Sequence, residues 1–239
     1  MIDVKVADWV GTVQVADFAG LSRYDAAFAW ELRDTVVALA DDSEVKVIVL
    51  RTDGGDFAPD VPGAPLPSDR SATWRRVFAG AKGLYQSLAF CKKVVVTEVT
   101  GACRGAGSAL VLCSDLTVAA EESSFGSPFL AVPESNFVLA ALTMRLNRAK
   151  AWAVTGDVLD AARAEEVGLV NQVVPGASLR AETDALAARV TAMPLDGVTM
   201  SKMLLQAVLD AHGVGRDFDL ATHYAARRRH AENAGGGAL

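Results

Sequence analysis

The stretch TGACRGAGSALVLCSDL, Thr100–Leu116, packs three glycines into seven positions and then becomes almost wholly apolar. Glycine loses more conformational freedom on folding than any other residue, so its repetition implies a need for small size or unusual dihedrals. Just before it runs KVVVTEVT, Lys93–Thr100, whose apolar, β-branched character predicts a buried strand. The apolar run after the glycines predicts a buried helix starting near Ala106. A strand, a glycine loop and a helix in that order mark an α/β layer.

Four uses of the loop come into question. Phosphate binding fits poorly, because GACRGAGS matches neither G-x-x-x-x-G-K-S/T nor G-x-G-x-x-G. A nucleophile elbow is excluded, since G-x-S-x-G occurs nowhere in the chain. Close strand–helix packing through small residues remains open. So does an oxyanion site: the first turn of a helix leaves N–H groups unbonded and partially positive. Such a donor suits a carbonyl oxygen that gains charge during reaction, and one can be worth about 10²–10³ in rate.

Upstream, DVKVADWVGTVQVADF alternates as two short strands joined around Asp8–Gly11. Helical spacing covers Asp25–Leu39, and VKVIVLRT, Val45–Thr52, reads as a second buried strand. The Gly- and Pro-rich loop Asp53–Asp69 is too long to be a plain connection in a compact domain. A helix is predicted from Ser71 to Phe90. Downstream come a strand at Leu116–Ala119, one helix over Val138–Thr155, a short helix stopped by Gly168 and a strand at Val170–Val174. Only helices follow, over about Leu179–Ala192, Val198–Ala211 and Phe218–Ala231, before a frayed NAGGGAL tail. The expected organisation is an α/β core over 1–194 and a helical appendage over 195–239 that packs on a neighbouring subunit.

Composition narrows the function classes. The 239 residues are 51% hydrophobic, enough for a large core without metals or disulfides. A net charge of −6 with no basic stripe argues against nucleic acid, and no Lys/Arg block suggests a membrane surface. The N-terminus lacks a signal-peptide pattern and no run is long and apolar enough to span a bilayer, so a cytoplasmic location is expected. Cys91, Cys103 and Cys113, without C-x-x-C spacing, read as reduced core residues.

The segment VVVTEVTGACRGAGSALVLCSDLTVAAEESSFGSP resembles the crotonase (enoyl-CoA hydratase/isomerase) superfamily signature: a strand, N-G-x-x-x-G-G-G, a helix ending in C-D, a strand, then F-G-x-P. TGDVLDAARAEEVGLVNQVVP and SEVKVIVLRTDGGDFAPDV are similar to the family's downstream and upstream segments, in family order. The resemblance implies a spiral of ββα units, a trimer or dimer of trimers, and an acyl-CoA thioester as ligand. Coenzyme A would then enter as part of the substrate, with no separate cofactor and no metal. It also implies two backbone donors for the thioester oxygen. One falls on Ala106. The other falls on Val61 when the segment is aligned from Phe57, or on Pro59, which has no N–H, when it is aligned on Asp60. Phe57, Gly105, Phe129, Arg23 and Arg104 fall where the family contacts its ligand.

The same resemblance exposes a departure. The two glutamates of the family's hydratases fall on Ala109 and Phe129, which cannot move protons. Glu134, in AVPESN, is the remaining candidate base, although a glutamate at a helix N-terminus also sits comfortably with no catalytic task. Asp115 reads as a structural turn residue, and Ser108 and Ser127 lack an adjacent base. The C-terminal HYAARRRH reads as a solvated helix face, with a phosphate or a neighbouring subunit as the other possibilities. Two functions stay open: enolate chemistry on an acyl-CoA, giving isomerisation or C–C cleavage, and a non-catalytic acyl-CoA-binding or partner subunit.

Overall fold

The computed structural model describes residues 2–61, 71–131 and 135–233, with only the backbone given for 71–77, 130–131, 195 and 224–233. The chain opens with β1 (Asp3–Ala7), β2 (Val10–Val15), α1 (Ala19–Ser22), α2 (Ala26–Asp41) and β3 (Val47–Thr52). Next come α3 (Ser71–Ala89), β4 (Val94–Val99), β5 (Ala102–Cys103), α4 (Ala106–Cys113), β6 (Leu116–Ala120) and β7 (Ser124–Gly126). Then follow α5 (Pro128–Ala131), α6 (Phe137–Thr143), α7 (Leu146–Thr155), β8 (Val158–Asp160), α8 (Ala161–Val167) and β9 (Gln172–Val174). Three helices finish the chain: α9 (Leu179–Thr191), α10 (Leu195–Ala211) and α11 (Val214–Asn233).

Six strands form one sheet in the order β1-β2-β3-β4-β6-β9, and β5-β7-β8 form a second. Only β1 and β2 run antiparallel in the larger sheet. Their turn takes positive φ at both Asp8 and Trp9, the geometry that matches a hairpin's twist. Helix α2 begins where Asp25 accepts the N–H groups of Ala27 and Phe28.

The central strands are buried on both faces, which explains their unbroken apolar runs. Ile48, Leu50 and Val95 face the main core with Leu32 and Val36 of α2 and Leu84 of α3. Val47, Val49, Val94 and Val96 face the other way, against Ala187 and Leu186 of α9.

Three expectations change. The helix predicted over Val138–Thr155 is two helices, because the chain turns extended at Met144 (φ −122°, ψ 164°) to bury that side chain in the core. The short strands β5, β7 and β8 carried no readable period, being two or three residues long. The C-terminal region is also divided. Val214 and Phe218 of α11 lie fully in the main core, whereas α10 leaves Met203, Leu204 and Leu205 exposed. Among the described residues no helix is long and apolar enough to cross a membrane.

One charged cluster lies under α9. Arg51 and Glu98 are each 5% exposed and 3.3 Å apart, and Arg51 also meets Asp184 at 2.6 Å. Arg180 reaches Glu98 at 3.1 Å and the Thr52 carbonyl at 3.1 Å. Burial pushes the Glu98 carboxyl up, against the pull of Arg51 and Arg180. Removing one partner of a buried pair strands the other charge, at a cost of about 3–5 kcal/mol, whereas apolar replacement of both is often neutral. Arg51→Met is therefore expected to lower the thermal midpoint sharply, and Arg51→Met with Glu98→Leu to recover most of the loss by calorimetry.

Candidate active site

The site is assembled where the glycine loop meets the segment Asp56–Val61. Gly101 takes φ +61°, and a Cβ there would stand 2.3 Å from Asp56 Oδ1. That carboxylate accepts the Ala102 N–H at 2.7 Å, which fixes the start of β5. Phe57 N–H donates to the Thr100 carbonyl, Ala58 N–H to that of Ala102, and Arg104 N–H to that of Ala58. Ala58 thus bridges Cys103 in parallel fashion.

The loop then turns into α4. Gly105 caps the helix at φ 48°, ψ −113°, a conformation that a residue with a Cβ resists. Gly107 has a different reason for being glycine: an added Cβ would lie 2.4 Å from the Ala58 Cβ. Helix and segment touch, and only hydrogen fits between them. Ala106, the first helical residue, is fully buried, and its N–H donates to the Ser22 hydroxyl at 3.2 Å. The Val61 N–H makes no hydrogen bond to another described residue.

The other candidate residues sort by their surroundings. Phe57 is fully buried, with its ring centroid 4.5 Å from that of Phe18, so it anchors the segment from the core. Arg104 gives its guanidinium to the Ser124 carbonyl at 2.6 Å and hydroxyl at 3.0 Å, and pairs with Asp60 at 3.5 Å. It clamps the glycine loop to β7, where Gly126 leaves room for its stem. Arg23 is exposed beside α1, on an open groove of about 170 Å³ shared with Asp17 and Phe28. Glu134 lies outside the described residues.

Ala109 and Phe129 are both buried. Phe129 stacks on Phe137 at 4.3 Å and meets the edge of Trp152 at 6.0 Å, making an aromatic wall. The nearby carboxylates are occupied: Asp56 as above, Asp17 by the Ala19 N–H at 2.8 Å, and Asp60 by Arg104. Asp115 accepts the Val95 N–H and pairs with Lys202 at 2.6 Å, tying α10 to the sheet. Ser108 donates to the Cys103 carbonyl, and burial pushes the Cys103 thiol up to about 12, which makes it a poor nucleophile. Ser22 and Asp56 escape sequence reading, because each acts on a residue tens of positions away. Gly107→Ala is expected to force the Phe57–Ala58 segment off α4 and to cost about 1–3 kcal/mol, as overpacking does; a chemical-denaturation midpoint checks it.

The chain compares with known proteins as follows. The sequence pattern of the enoyl-CoA hydratase/isomerase family matches residues 24–235. The crotonyl-CoA hydratase of Syntrophomonas wolfei is 32% identical over 182 residues, covering 72% of this chain and 68% of that protein. A 4-chlorobenzoyl coenzyme A dehalogenase of an Arthrobacter species is 27% identical over 217 residues, covering 84% of this chain and 77% of its own. The crystal structure of a probable enoyl-CoA hydratase from Mycobacterium smegmatis superposes with a TM-score of 0.82 at 25% identity, covering 98% of this chain and 95% of that one. Another, from Mycobacterium thermoresistibile, gives 0.82 at 24% identity, with 98% of each chain covered. With its glycine loop, its ordered strands and this extent of match, the chain belongs to the enoyl-CoA hydratase/isomerase family and has the crotonase fold.

Proposed function

We propose that the chain binds an acyl-CoA thioester with the carbonyl oxygen at the amides of Ala106 and Val61, and stabilises the enolate formed when an α-proton leaves. The observation that carries this reading is the Ala106 N–H at the start of α4, held by the Gly105 turn beside the segment that pairs Ala58 with Cys103 and continues to Val61. Two preorganised amides in a buried setting act most strongly on an oxygen that becomes negative. Hydration by paired glutamates is not proposed, because Ala109 and Phe129 stand at those positions. Glu134 is the proposed base: it takes the α-proton, and return of that proton to the γ-carbon completes an isomerisation.

A second reading is a subunit that binds acyl-CoA without turning it over. The stacking of Phe129 on Phe137 and Trp152 supports it, since that wall replaces the family's second acid with packed rings. A panel of saturated and unsaturated acyl-CoA thioesters, followed by calorimetry and product analysis, separates the two. Enolate chemistry predicts shifted double bonds and no hydrated product. Ala106→Pro removes one N–H at a position where proline fits a helix, and is expected to lower turnover by about 10²–10³. Glu134→Gln should abolish it. Binding across the panel without any turnover favours the second reading.

The region 195–239 is proposed to hold subunits together as a trimer or hexamer. Exposed Met200, Met203, Leu204, Leu205 and Val208 on α10 support this, since a helix this apolar is poorly stable with its side chains in water. Light scattering is expected to show a trimer or hexamer that Leu204→Glu with Leu205→Glu dissociates.

A further inference from the structure

Ser22 ends the single turn of α1, and its place is fixed from three sides. Asp17 accepts the Ala19 N–H at 2.8 Å, Phe18 N–H donates to the Phe57 carbonyl at 2.9 Å, and Leu21 is buried. The chain leaves through Tyr24 at φ 58°, with Tyr24 and Asp25 N–H groups bonded back to Leu21 and Gly20. The turn that carries Ser22 is therefore anchored at Phe57 to the segment that packs against the start of α4. From there its hydroxyl accepts the Ala106 N–H at 3.2 Å. A serine hydroxyl holds one proton and two lone pairs. The contact with Ala106 uses a lone pair, and among the described residues the proton makes no hydrogen bond.

Resting on the acyl-CoA reading above, we infer that Ser22 is a further donor to the thioester oxygen. The arriving oxygen takes over the Ala106 N–H, and the hydroxyl rotates about χ1 into another staggered well and donates to that same oxygen. In the ground state this exchange swaps one neutral acceptor for another and gains little. Once the α-proton has left, both donors face an anionic oxygen and their bonds become charge-assisted, roughly twice as strong. Ser22 keeps its own proton throughout, and the α-proton goes to the base. Its contribution is larger in the enolate than in the substrate, the kind of interaction that raises kcat and leaves KM nearly unchanged.

Cinnamoyl-CoA is the probe, because the ultraviolet band of a conjugated thioester moves to longer wavelength as its carbonyl is polarised. The wild-type chain is expected to bind it with a red shift that Ser22→Ala reduces while affinity stays within a few-fold. Ser22→Thr should keep the shift, and Ser22→Cys, nearly the same size with a weak donor, should lose it. On any acyl-CoA that is turned over, Ser22→Ala should lower kcat by on the order of 10² with KM little changed. A shift and kcat unaltered in both Ser22→Ala and Ser22→Cys overturn the inference and leave the hydroxyl a structural tether; a larger shift overturns it in favour of a competitor for the amide. In those cases an Ala106→Pro variant that abolishes the wild-type shift leaves the acyl-CoA reading standing. No binding of cinnamoyl-CoA or of any panel member by the wild-type chain overturns both.

Discussion

The site depends on one steric constraint: two backbones meet at the start of α4 with no side chain between them. A Cβ on Gly107 would stand 2.4 Å from the Ala58 Cβ. The surrounding features serve that contact. Gly105 supplies the turn that aims Ala106, Asp56 fixes the start of β5, and Arg104 ties the loop to β7 from outside. Phe57 holds the segment from within the core. Because protein interiors are packed as densely as organic crystals, such a contact leaves no room for even one added methyl group.

The electrostatics of the molecule divide across the large sheet. Behind it, under α9, buried charges are paired, and burial pushes the Glu98 carboxyl up against the pull of two arginines. Around the start of α4 the Ala106 N–H meets the Ser22 hydroxyl, Asp56 is engaged by the Ala102 N–H and Asp60 by Arg104. On the proposed acyl-CoA reading, these fixed dipoles would meet a carbonyl that develops charge only in the course of reaction.

The C-terminal helices show how one composition serves two ends. In α11, Val214 and Phe218 enter the core and Phe218 meets Phe90 edge-on. In α10, Leu209 and Val198 pack against the core, and Lys202 reaches Asp115 and the Lys93 carbonyl, both at 2.6 Å. Met200, Met203, Leu204, Leu205 and Val208 of α10 are left facing outward.

The sequence by itself determined the layer order, the central strands and the glycine loop, because each is written in local signals. β-branched runs such as Val94–Val99 make strands, Asp25 caps a helix, and Gly168, at φ 91°, stops one. The family resemblance also set the expectation that Ala109 and Phe129 stand where the family's hydratases carry acids. Only the tertiary structure decided why Gly107 must be glycine, that Arg104 braces β7, that Met144 splits a helix, and that Ser22 reaches Ala106. Those features join residues up to 84 positions apart. Hydrophobic period and turn chemistry act over a few residues, and close approach between distant backbones leaves no trace in either.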